Sequence, residues 1–209
     1  MPLDGDIVSV LYGLAGLYTL YRLFVNRVSF FDHVVTGEDI SLTFAIAIFV
    51  LTPLGVLAHE VGHYFTAKTL GATAIELDYR GYWGFVTYSA GPDFDSLKVF
   101  MVTAAGPLVN VSLAFSSMAA AVVLPVRMIL KRTLAAFGLI SGFHILIGYP
   151  LIDIFSGLEG DFHTIYDVLP TSGAVVAGLT HAFLLALLVM SWKRPPTREF
   201  LRGDDFLVW

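Results

Sequence analysis

Leu57-Ala58-His59-Glu60-Val61-Gly62-His63 lies at the end of an apolar stretch, residues 42 to 58, that includes no charged residue. Residues four apart share one face of a helix, so both imidazoles can reach one metal ion. Glu60 follows the first histidine, where a carboxylate can take a proton from a metal-bound water. Ionisable groups are costly to bury in such a setting and by default mark a functional site. The alternative is a pair of histidines that only pack in a core.

The composition is that of an integral membrane protein. Of the 209 residues, 56% are hydrophobic and 14% are charged, whereas a soluble domain is about half apolar and about a quarter charged. The mean hydropathy is +0.77. Cysteine is absent, which excludes disulfide bonds and thiolate ligands, so any metal must be held by His, Asp or Glu.

Five segments are long and apolar enough to cross a bilayer. They run approximately over Ile7–Val25, Leu42–Ala67, Phe100–Leu124, Leu134–Ile154 and Ala174–Trp192. No internal repeat and no linker rich in Pro or Ser divides them. We therefore predict an all-α polytopic membrane protein of five to six transmembrane helices that forms a single domain over residues 1–209. We expect it in the cell membrane.

A different pattern separates the second and third segments. Apolar residues alternate with others at a period of two, at Ile75, Leu77 and Tyr79. Gly81 and Gly84 then bracket two aromatic residues, and a β-prone run follows. This pattern predicts a small β-hairpin inserted between spans two and three. The alternative is an irregular aromatic loop at the membrane surface.

A metal held by His59 and His63 needs a third protein ligand, because two histidines leave a catalytic zinc under-coordinated. The candidates are Asp153, Asp161 and Asp167, near or after the C-terminal end of span four. Spans three and four run antiparallel, so this end of span four lies on the same side of the membrane as the two histidines. A carboxylate there can close the site.

None of the other histidines has a second histidine at a metal-binding spacing. A single histidine on an apolar helix is more often a hydrogen-bonded packing residue than a ligand, and we assign this role to His144 in span four. We interpret His33, His163 and His181 as structural or surface residues.

Two motifs carry a family resemblance. His59-Glu60-Val61-Gly62-His63-Tyr64 within a span resembles the site-2 protease family of intramembrane zinc metalloproteases. Ala105-Gly106-Pro107-Leu108-Val109-Asn110 is similar to that family's A-G-P-x-x-N segment, which opens the next core helix. The hairpin between them is similar too, so the resemblance covers about Leu42 to Leu124. It implies an intramembrane endopeptidase with one Zn²⁺ per chain, Glu60 as catalytic base, transmembrane protein substrates within the lipid bilayer, and no nucleic acid partner.

The family's third motif, N-x-x-P-x-x-x-L-D-G, matches in two competing registers. Gly-Tyr-Pro-Leu-Ile-Asp153 resembles its Pro-Leu-Asp end with one insertion. Alternatively, Asp161 takes the ligand position and Asp153 stands eight residues earlier, in the place of the Asn. We favour Asp161, because it follows Gly160 and opens a segment with helical character, as the family has after its aspartate. Asp153 has the advantage of lying within the apolar run.

Basic residues predict an orientation. Nine lie at or after the C-terminal ends of spans one, three and five: Arg22, Arg27, Arg127, Lys131, Arg132, Lys193, Arg194, Arg198 and Arg202. The opposite side has Lys68, Arg80 and Lys98. The positive-inside rule then places the N-terminus outside, the C-terminal tail in the cytoplasm and the metal site in the outer half of the bundle. The family resemblance implies the opposite, since relatives commonly hold their metal nearer the cytoplasmic face.

Two other functions fit part of the pattern. A catalytically inactive relative would bind or retain membrane helices, but the intact Glu60 argues against it. A metal or proton transporter would use the His, Glu and Asp residues as a relay, which predicts polar residues spread through several spans. Here they cluster at one depth, so we favour the endopeptidase.

Overall fold

The computed structural model describes residues 3–32, 34–156, 160–194, 197 and 200–201. Within this part the chain is mainly helical. The α-helices are α1 (Leu3–Val25), α2 (Arg27–Phe30), α3 (Gly37–Ile46), α4 (Thr52–Thr69), α5 (Ser96–Val123), α6 (Met128–Phe143), α7 (Tyr149–Ser156), α8 (Asp161–Val168) and α9 (Thr171–Lys193). His33, Arg198 and Arg202 lie outside the described residues.

Five of the described helical segments are long and apolar enough to cross a membrane, judged by length and composition. They are Ile7–Val25, Gly37–Thr69, Ser96–Val123, Met128–Asp153 and Thr171–Lys193. All five predicted apolar segments are therefore present as helices. The second begins five residues before its predicted start at Leu42, because a capping box stabilises its charged first turn. In this box the Thr36 hydroxyl accepts from Asp39 N, and the Asp39 carboxylate accepts from Thr36 N.

Two of these segments include a π-helical turn that hydropathy does not predict. The turns are Ala47–Leu51, between α3 and α4, and His144–Gly148, between α6 and α7. A π turn leaves backbone groups that the regular helical ladder would pair. Tyr12 Oη donates to Ile48 O at 2.6 Å, and His181 Nε2 donates to Leu146 O at 2.8 Å. Each π turn is thus bound by a side chain from an outer helix, α1 or α9.

Helix α5 lies at the centre of the bundle, packed against α4 on one side and α6 on the other. Small residues permit the close approach: a Cβ atom on Gly138 of α6 would lie only 2.7 Å from the Ala114 carbonyl oxygen of α5. Helices α1 and α9 pack at the edges and leave large apolar faces exposed, including Leu14, Leu17 and Leu179. Such faces are suited to contact with lipid.

The predicted β-hairpin is confirmed. Strands β1 (Thr73–Tyr79) and β2 (Gly84–Ser89) pair antiparallel, with Leu77 opposite Val86. Tyr79 Oη donates to the Pro53 carbonyl oxygen at 2.8 Å, which ties the hairpin to the start of α4. The turn is closed by a bond from Arg80 N to Trp83 O. The hairpin is therefore held directly beside the helix that carries the His-Glu-x-x-His pattern.

Candidate metal centre

Helix α4 places His59, Glu60 and His63 in the interior, with 6%, 5% and 7% of their surfaces exposed. His59 and His63 share one face, and Glu60 lies on the adjacent face. The fourth residue, Asp161, is the first residue of α8, directly after Gly160. It comes from a part of the chain 102 residues after His59.

Three electron-pair donors meet at one point. His59 Nε2 lies 2.9 Å from Asp161 Oδ2 and 3.0 Å from His63 Nε2, and His63 Nε2 lies 3.2 Å from Asp161 Oδ2. Burial alone would raise the pKa of Asp161, but its hydrogen bonds with His59 and His63 outweigh this and lower the pKa to about 2. The carboxylate is thus ionised at neutral pH. The group His59–His63–Asp161 could hold a metal ion.

The remaining ring nitrogens are held by α5. His63 Nδ1 donates to the Val102 carbonyl oxygen at 2.7 Å. His59 Nδ1 lies 3.2 Å from the Asn110 amide nitrogen, while Asn110 Oδ1 is buried and has no hydrogen-bond partner in the described part of the chain. A half-turn of this amide lets Oδ1 accept from Nδ1–H. With Nδ1–H bonded in this way, each imidazole can release its Nε2 proton when a metal binds and direct the Nε2 lone pair at the centre, as metal-binding histidines do.

Gly106 makes room for the centre. A Cβ atom at this position would lie 2.2 Å from His63 Nε2 and 2.5 Å from His59 Nε2, far inside contact distance. Gly106 is one turn from both Val102 and Asn110, so these three residues form a single row along α5. The A-G-P-x-x-N segment therefore packs directly on the two histidines.

Asp153 does not join the three ligands. It is buried near the end of span four, and its Oδ2 accepts hydrogen bonds from the backbone N–H groups of Phe162 at 2.9 Å and His163 at 3.4 Å. Of the two competing registers, the structure brings only Asp161 to the histidines. The third candidate, Asp167, is exposed on α8.

The three remaining histidines in the described part of the chain differ in their surroundings. His144 lines the cavity that includes the candidate metal ligands, and its ring stacks on Tyr149 at 6.3 Å. His181 binds the π turn, as a structural residue would, and the side chain of His163 is exposed. The interpretation of His144 as a packing residue therefore needs an addition, because its ring also borders the centre.

Sequence reasoning assigned no role to two polar side chains beside the centre, Asn110 and Tyr149. Asn110 holds His59, and Tyr149 Oη accepts from Asp161 N at 3.3 Å. For Asn110 a signal was available, since an amide within an apolar helix is costly unless it is bonded. For Tyr149 none was, because tyrosines are common near the ends of spans.

A cavity of about 810 Å³ surrounds the centre. One wall is α4 with Glu60, and the opposite wall includes Trp83, Phe85 and Tyr88 of the hairpin. Gly84 brings strand β2 against the catalytic candidate: a Cβ atom there would lie 2.8 Å from Glu60 Cγ. The cavity therefore lies between the His59–His63–Asp161 group and β2, with Glu60 in its wall.

Comparisons of the chain with protein-family models, with curated proteins and with solved structures gave no match.

Gly106→Ala should abolish metal binding, because the added methyl group would fill the space where the ligand atoms converge. Alanine favours a helix more than glycine does, so α5 should persist. Elemental analysis of the purified protein measures the loss. Gly13→Ala is the matched control, since a Cβ atom there has no neighbour within 4 Å. Wild-type metal content in Gly106→Ala would contradict the geometry described here.

Substitutions of Asp161 and Asp153 should have different effects on metal content in the same measurement. Asp161→Asn should weaken metal binding by at least about tenfold, because it removes the charge of a ligand, a larger change than loss of an outer partner. Asp153→Asn should keep the metal, since its amide oxygen still accepts the two backbone bonds. The reverse result would place Asp153 among the ligands.

Proposed function

We propose that this chain is a zinc-dependent intramembrane endopeptidase of the site-2 protease family. The observation that carries the proposal is the convergence of His59, His63 and Asp161 in one cavity that also includes Glu60 and strand β2. A ligand set, a carboxylate beside it and a strand edge are the parts that peptide hydrolysis requires.

The donor set fits zinc. Two imidazole nitrogens and one carboxylate oxygen form a three-ligand set that leaves a position open, as in catalytic zinc sites. Ligands of a tetrahedral zinc lie roughly 3.3–3.5 Å apart. The donor atoms here are 2.9 to 3.2 Å apart, so an expansion by a few tenths of an ångström would accommodate the ion. Val102 accepts from His63 Nδ1–H, and Asn110 would accept from His59 Nδ1–H once its amide is turned, which supports the same assignment.

Glu60 is the proposed catalytic residue. A zinc ion bound at this centre would polarise the scissile carbonyl and lower the pKa of its bound water to ~7. Glu60 accepts the proton from the attacking water and returns it to the leaving amine. Glu60 is buried beside the two histidines and against Gly84, so it lies between the proposed ligands and strand β2.

Strand β2 is the proposed binding edge for substrate. A transmembrane helix hides its carbonyl groups in its own hydrogen bonds and must unwind before attack. In the described residues the sheet has two strands, so β2 pairs with β1 on one edge only. Residues of β2 line the cavity that includes Glu60. An unwound segment can therefore add to β2 as a third strand and lie across the metal ligands.

The site requires a membrane setting. The five apolar segments support a multi-pass protein of the cell membrane. The hairpin, the end of span four and α8 all connect spans on the side of the N-terminus. The charge distribution assigns this side to the exterior and the centre to the outer half of the bundle.

Glu60→Gln should retain zinc and lose proteolysis, whereas His59→Ala should lose both, because the histidine supplies a coordination bond and the glutamate does not. The test is cleavage of a model transmembrane substrate by the purified protein, with and without chelator, together with metal analysis. Normal cleavage by Glu60→Gln would refute the mechanism. Zinc loss in that variant would instead make Glu60 a ligand.

Reporter fusions should locate the C-terminal tail in the cytoplasm and residues 155–172 outside. The expectation follows from nine basic residues against three and from the rule that short basic loops stay inside. A reporter after Trp209 and a second reporter within 155–172 give opposite signals if this is correct. An external tail would reverse the orientation and place product release towards the cytoplasm.

A further inference from the structure

We propose that Asp153 is a positioning residue, which holds the ligand Asp161 in place by binding the first turn of α8 from the end of span four. The inference rests on the metal site proposed above, and it does not depend on the reaction that the site performs.

The first turn of α8 is bound from outside the helix. The first N–H groups of a helix have no partner within it. Gly160, the residue before α8, has no side chain, so it makes no cap bond to these N–H groups itself. Asp153 Oδ2 accepts from the N–H groups of Phe162 and His163, at 2.9 and 3.4 Å. Its negative charge also suits the positive end of the helix dipole.

A third bond completes the attachment. Tyr149 Oη accepts from Asp161 N at 3.3 Å. The N–H groups of Asp161, Phe162 and His163 are thus all directed to side chains of α7. The position of the Asp161 carboxylate relative to the histidines therefore depends on α7, which continues span four, as well as on α8.

Gly160 provides the space for this contact. A Cβ atom on Gly160 would lie 1.9 Å from Asp153 Oδ1 and 2.5 Å from its Cγ. Asp153 is 4% exposed, so its carboxylate is enclosed. Any side chain at position 160 would push the Asp153 carboxylate away from the two N–H groups that donate hydrogen bonds to it. The contact of Asp153 with the start of α8 therefore requires glycine at position 160.

The test compares Asp153→Leu with Asp153→Asn in the purified full-length protein. Zn²⁺ and Co²⁺ affinities are measured by competition with a chromophoric chelator, and the Co²⁺ absorption spectrum reports ligand geometry. Asp153→Leu keeps all three ligands but should bind both ions ~10- to ~100-fold more weakly, the cost typical of losing an outer partner. Asp153→Asn retains an accepting oxygen and should restore affinity and spectrum.

Asp39→Leu is the matched control. Asp39 is 2% exposed and also caps a helix, but at the start of α3, away from the centre. It should leave metal affinity unchanged even if it lowers the unfolding temperature. An equal fall in Asp39→Leu would mean that loss of any buried cap weakens the site, and would overturn the specific role of Asp153.

Gly160→Ala keeps the test decisive if Asp153→Leu does not fold. Gly160→Ala and a further variant, Asp153→Ala, should each weaken metal binding. The variant that combines these two changes should bind no more weakly than either single variant, because both changes remove one contact. Additive losses, wild-type affinity in Asp153→Leu, or an Asn variant as weak as the Leu variant would overturn the inference. No metal binding by the wild-type chain would overturn the proposed metal site itself.

Discussion

Bringing three electron-pair donors to within about 3 Å of one another inside an apolar bundle is the constraint on which the structure depends. Buried polar atoms must be bonded or they destabilise the fold. These atoms are bonded because two rows of residues, each spaced by one helical turn, run antiparallel on α4 and α5. His59 and His63 on α4 face Asn110 and Val102 on α5, in opposite order. Between these two partners, Gly106 leaves the space that the donors share.

The same geometry sets the direction of the chemistry. Glu60 follows His59 in α4, so its side chain leaves the helix towards the hairpin and not towards α5. Its contact with Gly84 places it between the donors and β2. The bond from Tyr79 to the Pro53 carbonyl holds the hairpin to the helix that carries Glu60. In the proposed reaction, a peptide added to β2 would therefore lie beside both Glu60 and the three donor atoms.

The sequence was sufficient for the features that arise locally. Hydropathy located the five apolar segments, a period of two located the hairpin, and the spacing of His59 and His63 located the centre of the cavity. It was insufficient where bonds join distant residues. The π turns depend on Tyr12 and His181 from other helices. The choice between Asp153 and Asp161 stayed open because both are acids at the end of one span. What distinguishes them is the position of α8, which places Asp161 beside the histidines.

The burial of polar groups also bears on the choice between the proposed hydrolysis and transport. In the described chain the buried acidic and histidine side chains are Asp39, His59, Glu60, His63 and Asp153. All except Asp39 line one cavity. Asp39 is bonded within its capping box, and it precedes His59 by twenty residues, roughly 30 Å of helix. A relay for ions or protons needs groups at intermediate depths, but residues 42 to 58 of this span carry no charge. A second cavity, between α3, α6 and α9, has an apolar lining that includes Leu139 and Phe143. Titratable side chains gathered at one depth therefore favour the proposed hydrolysis over a relay.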